Sequence, residues 1–236
     1  MSLLTVVREV CANVGVLAPS SVFANLNGNR TMQEMLTLAN EMAQRITADT
    51  RNWTKLKTLA TFTGDGVTTA FPMPENYLRM PFSSNVWSSS STQSPLRFVP
   101  NEDDWLRRRA NNDTSSYGEW TMWGGQMHIF PALAAGATAS FAYISKNSIA
   151  LAGGGFSDTF MGNDDTFVIS ERLLRLGMIW QWKASKGSPY AEDMGTYSDA
   201  LSNVSGFDSP APIIIGRTVI SVNAQTAYPW PLPTPP

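Results

Sequence analysis

Between Asp164 and Leu201 the chain reads DDTFVISERLLRLGMIWQWKASKGSPYAEDMGTYSDAL, two apolar helical faces separated by a turn. Ile169, Leu173, Leu176, Trp180 and Ala184 recur at alternating four- and three-residue steps, so they share one side of a first helix. Tyr190, Met194, Tyr197, Leu201 and Val204 do the same for a second. Gly187 supplies the left-handed residue that closes the first helix. Ser188 is placed to cap the second, with Pro189 at its first helical position. Such a hairpin has two apolar stripes and must bury both against another layer.

The first quarter of the chain supplies more helix. Leu3, Val7, Val10, Val14 and Leu17 form an amphipathic stripe that stops before Pro19. A loop containing Asn27-Gly28-Asn29 follows. Thr31 and Glu34 then read as a capping box opening a second helix, with Met35, Leu38, Met42 and Ile46 as its buried face. Trp53 is expected to pack just beyond its end.

From Lys57 the period changes to two. Thr58 to Phe62 and Val67 to Phe71 flank Gly64-Asp-Gly66 and read as a hairpin ended by Pro72 and Pro74. Ser83 to Pro95 is serine-rich and reads as a loop. Glu119 to Trp123 and Gln126 to Phe130 form a second hairpin around Gly124-Gly125, and a further strand runs from Ala137 to Ile144. Asn101 to Arg109 reads as a short helix, acidic first and basic last, a polarity that complements the helix dipole. A phosphate or partner contact at Arg107, Arg108 and Arg109 is the alternative. Gly153 to Gly155 reads as a hinge back to the helical part.

The expected fold class is α+β: a helical bundle built from both ends of the chain, interrupted by an antiparallel β insertion and followed by an extended C-terminal arm. The expected divisions are 1–55 for the first helical part, 56–155 for the β-rich insertion, 156–206 for the second helical part packing on the first, and 207–236 for the arm. Two separate domains in tandem are the alternative.

The arm differs in composition. Seven of the fifteen prolines lie between Pro210 and Pro236. Ile213, Ile214 and Ile215, then Val219, Ile220 and Val222, are β-prone, and Tyr228 and Trp230 stand in a proline run that favours polyproline conformation. Exposed β-prone runs need a partner. Either a neighbouring chain receives them or they fold back as a hairpin on their own sheet.

Little in the chain promises chemistry. His128 is the only histidine and lies in an expected strand, which leaves no multi-histidine metal site. Neither a phosphate loop nor a nucleophile elbow is present. Glu102, Asp103 and Asp104, Asp164 and Asp165, and Glu192 and Asp193 are the candidate acids, and each group stands at an expected helix start, where carboxylates satisfy free amides. Neither an enzyme, a metal nor a cofactor is expected. The single cysteine, Cys11, permits no disulfide within the chain, as suits folding in a reducing cytosol. No run is long enough to cross a membrane and no signal peptide is visible. A net charge of −2 argues against tight nucleic-acid binding. Only 15% of residues are charged, which fits a surface partly covered by other chains, or simply one rich in Ser, Thr and Asn.

The runs Trp180-Gln-Trp182-Lys183, Lys186-Gly187, Tyr190-Ala-Glu192-Asp193 and Tyr197 resemble the C-terminal hairpin of tailed-bacteriophage head-to-tail connector (adaptor) proteins. LLTVVREVCANVGVLAPSSV from Leu3, TMQEMLTLANEMAQRI from Thr31, Arg51-Asn-Trp53 and TFTGDGVTTAFPMP from Thr61 precede it in an order similar to that family's. The resemblance implies a structural virion protein at the head–tail junction, assembled in the host cytoplasm. It implies a twelve-fold ring under the portal, contacts with neighbouring copies and with the next tail component, and a lumen through which DNA passes without specific binding. It also implies a C-terminal segment that docks on the portal, here Ile213 to Val222 with Tyr228 and Trp230. A different class of function is a virion binding module for host surface or glycan, built around Trp87, Trp120 and Trp123. A third, a sugar hydrolase, needs two of the carboxylates above in one cleft.

Overall fold

The structure, a computed structural model, describes residues 2–24, 28–49, 51–81, 84–91, 93–113 and 115–208. It is a mixed α+β chain. Two helices open it, α1 (Leu3–Val14) and α2 (Arg30–Ala48). Five strands follow: β1 (Lys57–Thr63), β2 (Ala70–Pro72), β3 (Tyr77–Arg79), β4 (Trp87–Ser88) and β5 (Arg97–Phe98). Helix α3 (Glu102–Ala110) precedes β6 (Glu119–Trp123), β7 (Gln126–Phe130) and β8 (Thr138–Ser145). Three short strands, β9 (Ile149–Ala150), β10 (Phe156–Ser157) and β11 (Thr166–Phe167), lead to α4 (Glu171–Ser185) and α5 (Ala191–Asp208).

Helix α4 touches α1, α2 and α5, so its apolar surface is wider than one stripe. Leu173, Leu174, Met178, Ile179, Trp180 and Trp182 are all buried on it. The α2 contact is close: a Cβ added at Gly177 would lie 2.6 Å from the Met42 side chain. Polar pairs reinforce these contacts, Arg175 with Glu9 of α1 and Gln181 with Glu41 of α2 at 2.7 Å. Residues from 3–56 and 144–204 form one apolar core.

Several helix boundaries differ from expectation for local reasons. Helix α1 stops at Val14 because Gly15 turns left-handed, so Leu17 leaves the apolar face and is 90% exposed. The N-cap of α2 is Asn29, whose side chain accepts from the Met32 amide, and not Thr31; Glu34 turns outward to Arg30 and Lys186. Ser188 does not cap α5. Its amide bonds back to the Lys183 carbonyl as part of the α4 terminus, and the Tyr190 carbonyl accepts from Met194 instead. Pro189 therefore lies ahead of α5, not in its first turn.

The β segments form two four-stranded sheets and a smaller three-stranded one. In the first, β8 is central, with β1 on one side and β3 and β4 also paired to it. The second runs β2-β7-β6-β5, and its β5–β6 pairing is parallel, an exception to the antiparallel expectation. The β6–β7 hairpin turns through Gly124 and Gly125, both at positive φ, in the register Trp123 opposite Gln126.

The expected hairpin across Gly64-Asp65-Gly66 does not exist. β1 pairs with β8 and β2 with β7. Asp65 is responsible locally, because its carboxylate takes the amides of Val67 (2.8 Å) and Thr68 (2.6 Å) and the Thr68 hydroxyl. Those bonds pull its carboxyl down to about 2 and shape a wide loop between the sheets. Phe62 and Phe71 then stack across the gap at 5.0 Å. Within the serine-rich run, Trp87 and Ser88 form β4, with Val86 fully buried beside it. Gly153 to Gly155 make the turn between β9 and β10, not a hinge.

Strand alternation on β8 joins the two cores. Ala139, Phe141 and Tyr143 face the sheet core, while Ile144 belongs to the helical one. Trp53 fills the junction, 1% exposed, with its indole N–H donated to the Ile46 carbonyl at 2.9 Å. Arg79 of β3 ties the same junction, donating to Asn52 and to the carbonyls of Asp49 and Arg51.

Candidate functional site

The α4–α5 hairpin residues converge on one end of the helical part. Trp180 is nearly buried, with the rings of Tyr190 at 6.4 Å and Tyr197 at 6.1 Å, and the Arg45 guanidinium 5.2 Å from its centroid. Trp182 faces the other way, under the Lys186 ammonium at 4.6 Å. Lys183 reaches across the turn to Asp193 at 2.6 Å, and Lys186 reaches Glu34 of α2 at the same distance. With Gly187 at φ 70°, the Lys183–Asp193 pair ties α5 to α4, while Lys186–Glu34 ties the end of α4 to α2. Between them and the end of α1 opens a cleft of about 910 Å³ lined by Val14, Val16, Trp182, Lys183, Pro189 and Asp193. Tyr190 is 41% exposed and Met194 48%, so the first turn of α5 presents apolar surface to solvent where the periodicity implied a buried stripe. Tyr197 and Ala200 do point inward. Glu192 heads α5, and its carbonyl accepts from Thr196.

The carboxylates do not assemble into a pair for acid–base work. Asn101, Glu102, Asp103 and Asp104 open α3 as expected, with Asn101 capping and Asp104 bound to Arg107 and Arg108. Those two guanidiniums lower the Asp104 carboxyl. Asp165 is not at a helix start, since Ser170 caps α4. It is buried in the preceding loop, accepting the amides of Ala152, Met161 and Gly162. Its own carbonyl and that of Asn163 receive the first amides of α1. This is architecture that ties the loop before α4 to the start of α1.

A charged cluster went unread in the sequence. Glu119, fully buried at the head of β6, holds Arg108 at 3.0 Å and Arg109 at 2.9 Å. Arg109 also lies over Phe130 (3.5 Å) and Trp105 (4.4 Å). Two of the three arginines are thus clamps between α3 and the sheet. The signal available was an acidic residue opening an otherwise apolar strand eleven residues after Arg108. His128 stacks on Trp123 at 4.3 Å, and burial lowers its pKa. Trp120 is buried against Phe98, Trp123 packs on Trp105, and Trp87 stands on the other sheet, so the three do not make one stacking surface.

The arm residues Ile213, Ile214, Ile215, Val219, Ile220, Val222, Tyr228 and Trp230 lie outside the described residues. Among the described residues, no group of three or more His, Cys, Asp and Glu side chains is placed to hold a metal ion, and no helix is long and apolar enough to cross a membrane.

No curated protein matches this chain. A family model described as SU10 adaptor protein matches residues 1–211, a span covering both helical parts, the sheets and the α4–α5 hairpin. The chain therefore belongs to the SU10 adaptor protein family, structural phage adaptors of the virion that act among other head and tail components.

Proposed function

We propose that this chain is a head-to-tail adaptor that assembles as a ring beneath the portal and links it to the next tail component. The family match across residues 1–211 carries this reading. A twelve-fold ring of identical chains needs a heterologous contact, one face of a protomer meeting a different face of the next. The exposed start of α5 and the neighbouring cleft are the candidate face on the helical part. DNA passes through the lumen without being gripped, which suits a net charge of −2. Assembly takes place in the host cytoplasm, before the particle is complete.

The working parts are residues 1–55 and 156–206 as a helical body, 56–155 as a β-rich insertion, and 207–236 as an arm that docks on the portal. The Lys183–Asp193 pair supports this by tying α5, the arm's base, to α4, which Lys186–Glu34 in turn ties to α2. A chain ending at Asp208 keeps that base whole. It is expected to remain a folded monomer by circular dichroism and light scattering, yet to lose at least a hundredfold in affinity for purified portal rings. Unchanged affinity would show that docking lies elsewhere in the chain.

A further inference from the structure

β1 is the outermost strand of its sheet: it pairs with β8 on one side, and no described residue pairs with it on the other. Its seven residues carry one charge, Lys57, with no proline and an unbroken register from Lys57 to Thr63. Edge strands are usually blunted by charges, prolines or bulges, because an unpaired row of N–H and C=O groups recruits another strand. This one is also flanked by uncovered apolar surface. Leu59 is 74% exposed, and Trp87, which shares its β8 partner Ser140 with Thr61, is 48% exposed. Paired residues share a face of the sheet, so Leu59, Thr61 and Trp87 lie on the same side.

The exit of the chain says what reaches that edge. Helix α5 ends at Asp208, whose carboxylate accepts from the Thr54 amide at 2.6 Å and from the Thr54 hydroxyl. Thr54 stands three residues before β1, so the main chain leaves the helix beside the start of that strand. Residues 209–212 read Ser-Pro-Ala-Pro, and IIIGRTVISV follows from Ile213 to Val222. Four linker residues span at most about 14 Å. The seven residues of β1 measure roughly 23 Å. A run starting at Ile213 can thus reach the near end of β1 but not its far end. A ladder begun at Ile213 would leave Pro210 and Pro212 outside it, where their missing N–H costs nothing.

The geometry points to the free edge of β1 as a strand-addition site whose occupant, in the uncomplexed protein, is the run Ile213 to Val222 of the same chain, laid parallel to β1. This rests on the reading of the residues after Asp208 as an arm, and it divides that arm in two: a β-prone part stored on the body, and Tyr228 and Trp230 left for the portal. A short tether gives the run an effective concentration in the millimolar range, so it outcompetes the same run from a second copy in dilute solution. Occupying the edge also keeps two copies from pairing there before assembly.

Hydrogen exchange read by mass spectrometry tests this on the protein alone. Residues 57–63 are expected to exchange at least tenfold more slowly in the full chain than in one ending at Asp208, with α1 and α2 unchanged. The full-length variant Ile220→Pro, which cannot donate to a ladder there, is expected to behave like the shortened chain. Equal exchange in all three proteins would overturn the proposal. Protection that disappears on dilution would overturn it too, by assigning the strand to a second copy. Because portal is absent, this experiment fails or succeeds independently of the docking assay above.

Discussion

Glu119→Ala is expected to destabilise the protein by about 3–5 kcal/mol, the cost of leaving buried charge without its partner. Glu119 is fully buried, and its two carboxylate oxygens go to different guanidiniums, Arg108 at 3.0 Å and Arg109 at 2.9 Å. Neither arginine can shed its charge. Arg108 retains Asp104, so most of the loss falls on Arg109, which lies against Phe130 and Trp105 and whose remaining side-chain nitrogens have no hydrogen-bond partner. Glu119→Gln separates charge from shape, because it keeps the volume and one acceptor and is expected to cost less than the alanine change. Urea unfolding of the three proteins measures this. A loss below about 1 kcal/mol for Glu119→Ala would place the pair in the class of solvent-screened surface bridges.

Trp53→Ala carries a similar penalty for a different reason. Removing a fully packed tryptophan opens a cavity, a change that costs about 3–5 kcal/mol in protein cores. Trp53 stands where α2 ends and β1 begins, in one core with Leu56, Ile144 and Ile149. Its ring is thus shared by the helical part and the strand that enters the sheets. Trp53→Phe keeps much of the ring but strands the Ile46 carbonyl, and is expected to fall between wild type and alanine. Coincident loss of helical and tryptophan signals in the alanine variant would mark the junction as one cooperative unit. An early, separate transition of the sheets would show instead that the two cores unfold independently.

The helices were readable from the sequence because a 3.6-residue period states which side is buried without reference to any distant residue. Met35, Leu38, Met42 and Ile46 all lie inside as that period implies. The β6–β7 hairpin was readable for an equally local reason: two glycines between alternating strands permit only a tight turn. Strand pairing at β1 was not readable. Alternation specifies a face and not a partner, and Thr61 meets Ser140, 79 residues away. The Asp65 bonds that open the intervening loop look, in sequence, the same as a hairpin turn.

Helix ends were misplaced where two cap residues competed, Asn29 against Thr31 and Tyr190 against Ser188. In α2, Glu34, expected to complete a capping box, instead pairs with Arg30 and Lys186. At the candidate site, the aromatic face of α4 was legible, and the exposure of Tyr190 and Met194 was not. A periodic stripe tells that a surface is apolar, not how much of it another element covers.

The most direct test of the adaptor account is electron cryo-microscopy of the purified chain mixed with portal rings from the same virion. The account predicts a ring of this protein stacked on the portal, with residues beyond Asp208 traced along portal subunits and the start of α5 against a neighbouring copy. Portal rings that remain bare in the presence of excess chain would contradict it.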